Sequence, residues 1–119
     1  MKVKKLTKDR LLIPEWNGNR DLPKDEQIEI DITKFPTVSE SGSYKKMSFT
    51  GDGSIAISYP NDATMLLRHV GNIKNLEDDE VISNGKALSS SDNLIFEGLI
   101  TEIRTYILEA AELLELGEK

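Results

Sequence analysis

His69 is the only histidine in the 119 residues, and there is no cysteine. The residue types that most often carry catalysis or ligate metals are therefore nearly missing. One imidazole cannot build a multi-histidine metal site or a histidine-pair proton relay within one subunit. Without cysteine there are no disulfides, thiolate ligands or cysteine nucleophiles, which suits a reducing cytosol. His69 lies in a helical pattern and reads as a helix surface residue. No Gly-x-Ser-x-Gly occurs, and Gly85-Lys86 lacks the upstream glycine of a phosphate loop because Glu80 stands in its place. Asp52-Gly53 and Leu76-Glu77-Asp78-Asp79-Glu80 offer carboxylates, but neither has calcium-loop spacing, and the second reads as a solvated acidic turn. Nothing marks a cleft around paired carboxylates suited to glycosidic chemistry. The reading is a non-enzyme with no cofactor and no metal.

Charge narrows the partners. Fifteen Lys and Arg against 21 Asp and Glu leave a net charge of -6, which opposes nucleic-acid binding because that draws on basic groups neutralising phosphates. The charge is uneven. The first ten residues hold five bases (Lys2, Lys4, Lys5, Lys8, Arg10) and one acid, or +4, whereas residues 92–119 hold seven acids and two bases, or -5. Such asymmetry is either a plain solvated surface or the basis of head-to-tail self-association or a partner of complementary charge. No run approaches the roughly 20 apolar residues of a membrane span. Met1-Lys2-Val3-Lys4-Lys5 is followed by charges rather than by the apolar core of a signal peptide. A soluble protein in the cytoplasm of its host is expected, with no membrane partner.

These side chains must be positioned by a small scaffold, since the length allows one domain over 1–119. It divides into an arm (1–26), a β-rich part (27–60) and a helical part (61–119). In the arm, Pro14, Asn17-Gly18 and Pro23 leave room for a short strand around Leu11-Leu12-Ile13, with Trp16 as an anchor against the core. Gln27 to Thr33 alternates, placing Ile28, Ile30 and Ile32 on one face of a strand. A short helix fits Ser39 to Lys46. Met47 and Phe49, then Ile55, Ile57 and Tyr59, repeat the two-residue period around a Gly51-Asp52-Gly53-Ser54 loop, which is a hairpin pattern. Asn61 or Asp62 then caps a helix whose Ala63, Leu66, Leu67 and Val70 share a face, with Gly71 as its stop. Turns follow from Asn72 to Ser91, with a one-turn helix at Lys86 to Leu88.

Ser91 or Asp92 caps the longest element, which runs to about Leu116. Its Phe96, Leu99, Ile103, Tyr106, Ala110 and Leu113 form one apolar row. Ile95, Ile100, Ile107, Ala111 and Leu114 form a second beside it. The apolar arc is wider than a small sheet on one side would cover. The second row is thus either wrapped by the other helices and the arm or kept for a partner. Glu109, Glu112, Glu115 and Glu118 crowd the negative end of the helix dipole, where a cationic partner would relieve them. Arg104 has no acid three or four positions away. The candidate partner surface is Leu99, Ile103, Tyr106, Ile107, Ala110 and Leu114, with Glu109, Glu112 and Glu115 at its rim. The fold class is α+β: a small antiparallel sheet with a long C-terminal helix and short additional helices.

The order of Ile13-Pro14-Glu15-Trp16-Asn17-Gly18-Asn19-Arg20, then Arg68 to Glu77, then Ile82-Ser83-Asn84-Gly85-Lys86, then Leu99-Ile100-Thr101-Glu102-Ile103, resembles small proteins of tailed-phage and prophage structural cassettes. Among them it is most similar to tail assembly chaperones. The resemblance lies in an ordering of weak motifs over most of the chain. It implies a non-catalytic protein that coats the tape measure protein while tail tube subunits polymerise around it, and that is absent from the mature virion. It also implies that a longer, frameshifted form accompanies such chains in many relatives. The alternatives are a virion component of the tail or head-tail connector and a prophage-encoded regulator that binds a host target. Homo-oligomerisation is compatible with each.

Overall fold

The computed structural model describes residues 9–117, with side chains described as far as Ala110. Two antiparallel sheets and four α-helices follow one another as β1 (Leu11–Leu12), β2 (Glu29–Ile32), α1 (Val38–Ser43), β3 (Lys46–Phe49), β4 (Ile55–Ser58), α2 (Asp62–His69), β5 (Val70–Lys74), α3 (Gly85–Ser89) and α4 (Glu97–Gly117). The fold is α+β, with a long C-terminal helix, as the periodicities indicate.

Three strands form one sheet in the order β1-β2-β5. In the central strand the alternation sends Ile28, Ile30 and Ile32 inward and leaves Asp31 exposed. Leu12 pairs with Ile30 on one side, and Ile73 and Val70 pair with Ile30 and Ile32 on the other, across a bulge. The strand β5 corrects the sequence reading, which has Val70 on the helix and turns from Asn72 onward. The helix instead ends at His69, and Val70 already pairs with Ile32. Glycine is required beside this junction: a Cβ at Gly71 would stand 2.7 Å from the methyl of Thr33, just past the end of β2. A Cβ at Gly85 would stand 2.5 Å from the Val70 carbonyl oxygen and 2.6 Å from that of Leu66. The Asn84-Gly85 pair therefore does more than turn the chain. Asn84 caps α3 by accepting from the Ala87 N–H at 2.8 Å, and Gly85 lets that helix start against the end of α2.

The short helix α1 begins at Val38 rather than Ser39 because Thr37 and Glu40 form a reciprocal capping box, each side chain accepting from the other's backbone N–H at 3.1 Å. Helix α2 buries Met65, Leu66 and His69, whereas Leu67, expected inward, is exposed. The long helix starts later than Ser91 or Asp92 would set it. Asn93 caps a 3-10 turn, Leu94–Phe96, and α4 follows directly.

One core joins the sheet to the helices through Ile30, Ile32, Tyr44, Met65, Leu66, Leu88, Phe96, Leu99, Ile103 and Ile107. The N-terminal segment is laced onto α4. The Glu102 carboxylate accepts from the backbone N–H groups of Glu15 at 2.7 Å and Trp16 at 2.9 Å. Trp16 packs on Phe96, with ring centroids 5.9 Å apart, and over Gly98, where a Cβ would reach within 3.2 Å of the indole. The buried Asn19 amide accepts from the Ile28 N–H and donates to the Pro14 and Ile28 carbonyls, so each end of it is satisfied. Since Ile103 is fully buried, Ile103→Ala is expected to lower unfolding free energy by about 3 kcal/mol in urea denaturation, whereas the exposed Phe49→Ser changes it by no more than about 0.5 kcal/mol.

Candidate functional site

Four of the exposed large apolar side chains among the described residues gather on the hairpin. Strands β3 and β4 pair in register, Lys46 with Ser58, Met47 with Ile57, Ser48 with Ala56 and Phe49 with Ile55. Residues directly opposite in a ladder share a face, so Met47, Ile57, Phe49 and Ile55 stand together on one side and the small or polar pairs on the other. These four are 63%, 50%, 82% and 58% exposed. They form a contiguous apolar face on a two-stranded ribbon that packs chiefly on itself and is separate from the three-stranded sheet. Singly exposed apolar residues are ordinary, but an apolar sheet face left in water is a mark of an interaction site. The sequence pattern of alternation fits this ribbon, yet alternation says only that one face is apolar, not that the body of the protein covers it.

The ribbon is held firmly at its root. On the β3 side, Tyr44 is buried, and its hydroxyl donates to His69 Nε2 at 2.7 Å. On the β4 side, Tyr59 lies under the Arg104 guanidinium, 3.7 Å from its ring centroid. Arg104 also pairs with Asp62 at 2.6 Å. Asn61 ties the two sides by donating to the Ser43 carbonyl at 2.9 Å. The partner missing for Arg104 along its own helix is thus supplied by α2 and the end of β4. Burial raises the Asp62 pKa despite the opposing pull of Arg104, and its Oδ1 is buried with no hydrogen-bond partner. At the far end of the ribbon, the Asp52 carboxylate accepts from the Thr50 hydroxyl and from the Ser54 N–H, which holds its pKa down to about 2. Beside the root runs a groove of about 450 Å³, lined by Val38, Ser41, Lys45, Tyr59, Thr105 and Leu108 among others.

Four of the residues expected on a partner-facing helix surface lie in the core instead. Leu99, Ile103 and Ile107 are fully buried and Ala110 nearly so, on a helix that α1, α2 and the N-terminal segment flank. Tyr106 is half-buried, and its hydroxyl donates to the Asp9 carbonyl at 2.6 Å. Glu109 is exposed at the edge of the groove. The side chains of Leu114, Glu112 and Glu115 lie outside the described residues. A smaller apolar exposure occurs at Leu94 and Ile95, before α4, and at Val81. Among the described residues no cluster of three or more His, Asp or Glu could hold a metal ion, and no helix is long and apolar enough to cross a membrane.

His69 also departs from the sequence reading, being fully buried rather than on a helix surface. Its Nδ1 lies 3.0 Å from the Lys34 carbonyl. A carbonyl only accepts, so Nδ1 carries the proton and Nε2 accepts from Tyr44. This serves neutral imidazole well and imidazolium badly. Comparison with family models, with curated proteins and with solved structures finds no match.

Burial pushes the His69 pKa below its ordinary 6.5, outweighing the Lys34 hydrogen bond and the nearby Glu40. The unfolded chain therefore takes up this proton first as pH falls. His69 leaves stability untouched well above pH 6.5 and lowers it as pH drops through 6.5 toward the depressed folded value. The melting midpoint is expected to fall from about pH 7.5 to about pH 5.5, and to fall less in His69→Gln.

Proposed function

We propose that this chain works by binding other protein chains during assembly of a phage or prophage tail, as a tail assembly chaperone whose client is the tape measure protein. The observation that carries the binding role is the apolar face of the β3–β4 ribbon, which no part of the described chain covers. The assignment to tail assembly rests on the sequence resemblance. The binding surface differs from the one the α4 row implied: it consists of Met47, Phe49, Ile55 and Ile57. A pre-formed ribbon anchored through Tyr44, Tyr59 and Asn61 loses little freedom when it closes on a client, which favours binding. A long helical client with an apolar stripe would lay that stripe on the face, and the chain's charge of -6 keeps the complex dispersed.

The second reading, a virion component of the tail or connector, draws on a different property of the same ribbon. Beyond their mutual pairing, β3 and β4 each have an outer edge, to which no third strand pairs among the described residues. Such edges can extend a neighbouring subunit's sheet in a ring.

Co-expression with the long tape-measure-like protein and with the tail tube protein of the same genome separates the two readings. For a chaperone, the tape measure protein becomes soluble and copurifies, and Phe49→Ser combined with Ile55→Ser lowers its recovery at least tenfold while the variant keeps its melting midpoint. Unchanged recovery from that variant would remove the ribbon from the binding role. Absence of copurification, with this chain present in purified particles, would establish the virion component instead.

A further inference from the structure

Resting on the ribbon's role as a client-binding face, we infer that Met47 is an oxidation site through which a peroxide turns that face off. The chain has no cysteine and three methionines, Met1, Met47 and Met65, so thioethers are its only sulfur groups. The two that lie among the described residues have opposite surroundings. Met65 sits in the core with no exposed surface. Met47, on β3, is 63% exposed. An oxidant in water therefore reaches the Met47 sulfur directly, whereas it reaches Met65 only when the fold opens.

The position of Met47 gives this exposure a consequence. Met47 pairs with Ile57 across the ladder, and Phe49, two residues on along the same face, pairs with Ile55. A client laid on this face covers Met47 together with the other three. A thioether suits that place, because it is apolar and its unbranched side chain adapts to the shape of what covers it.

Hydrogen peroxide is the oxidant. A sulfur lone pair attacks one peroxide oxygen, so that an S–O bond forms as the O–O bond breaks. The departing hydroxide takes the proton from the sulfur-bound oxygen and leaves as water. Sulfur loses two electrons and the peroxide gains them. The sulfoxide carries a strong acceptor oxygen on what was an apolar side chain. In the free chain that oxygen is hydrated, and the fold is unaffected because the side chain already stands in water. Under an apolar client the oxygen loses its water, and Phe49, Ile55 and Ile57 beside it have no side-chain donor to replace it. The penalty thus falls on binding and spares folding. It is reversible: a methionine sulfoxide reductase returns the thioether, with two thiols giving up two electrons to become a disulfide and the oxygen leaving as water.

The test treats the purified full chain with hydrogen peroxide and locates added oxygen by peptide mass spectrometry over time. The tape-measure-like protein is then diluted out of denaturant with treated or untreated chain, and its soluble fraction is measured. Met47 is expected to gain oxygen well before Met65, with the melting midpoint unchanged. Client recovery falls about tenfold on oxidation, and methionine sulfoxide reductase with a thiol restores it. Each variant is compared with its own untreated sample. In Met47→Leu the ratio of treated to untreated recovery stays near one, whatever the starting recovery. Oxidation of Met65 as fast as Met47 would overturn the inference, as would an equal loss in treated Met47→Leu. If Met47 is oxidised without loss of recovery while Phe49→Ser with Ile55→Ser lowers it, the inference fails and the binding role of the ribbon stands. Recovery indifferent to oxidation and to those substitutions removes both.

Discussion

The burial of one face of α4 in the core, flanked by α1, α2 and the N-terminal segment, is the interaction on which this structure depends. Leu99, Ile103 and Ile107 have no exposed surface, and Ile30 and Ile32 of the central strand, in the same core, have none either. Burying apolar side chains yields about 25 cal/mol for each Å² removed from water, and α4 contributes Leu99, Ile103 and Ile107 to that burial. The rest is arranged around that contact. The N-terminal segment closes one flank through Glu102 and Trp16. The α2–β5 junction closes another, at an approach that only glycine permits at Gly71 and Gly85.

With the core closed in this way, the β3–β4 ribbon is left over. Its root belongs to the body through Tyr44, Tyr59, Asn61 and Arg104, but its apolar side chains do not. That division suits a binding element. A firmly held root fixes direction, and a bare face keeps its desolvation free energy in reserve until a partner arrives. The buried polar groups at the root serve the same end. His69 and Tyr44 satisfy each other in one tautomeric arrangement, which specifies how α1 meets α2 and hence where β3 begins.

Much of the fold was legible in the sequence because the signals were local. The alternation of Ile28, Ile30 and Ile32, the Gly51 to Ser54 loop between two period-two runs, and the three-and-four spacing through Phe96, Leu99 and Ile103 each name their element without reference to anything distant. Misreadings arose where a local signal had two outcomes. Val70 continues a plausible helix stripe, and only pairing with Ile32 makes it a strand residue. His69 has the spacing of an exposed helix position, and only the Lys34 carbonyl and Tyr44 hydroxyl make its burial affordable. Leu99, Ile103, Ile107 and Ala110 were placed on the candidate partner surface for the same reason. Two apolar rows on α4 and an apolar face on the ribbon look equally available in sequence, and apolar character does not say which of them the body covers.

The sequence by itself determined that the chain has no thiol chemistry and only one imidazole, that its charge is acidic with a basic start, and that it carries these strands and this long helix. Those follow from composition and from periods of two and 3.6 residues, which are properties of neighbouring positions. Tertiary structure decided which apolar faces close and which stays open. That choice is a competition among distant surfaces for a limited set of partners, won by α4, which α1, α2 and the N-terminal segment flank. The ribbon, rooted but projecting, has no such surroundings within the described residues.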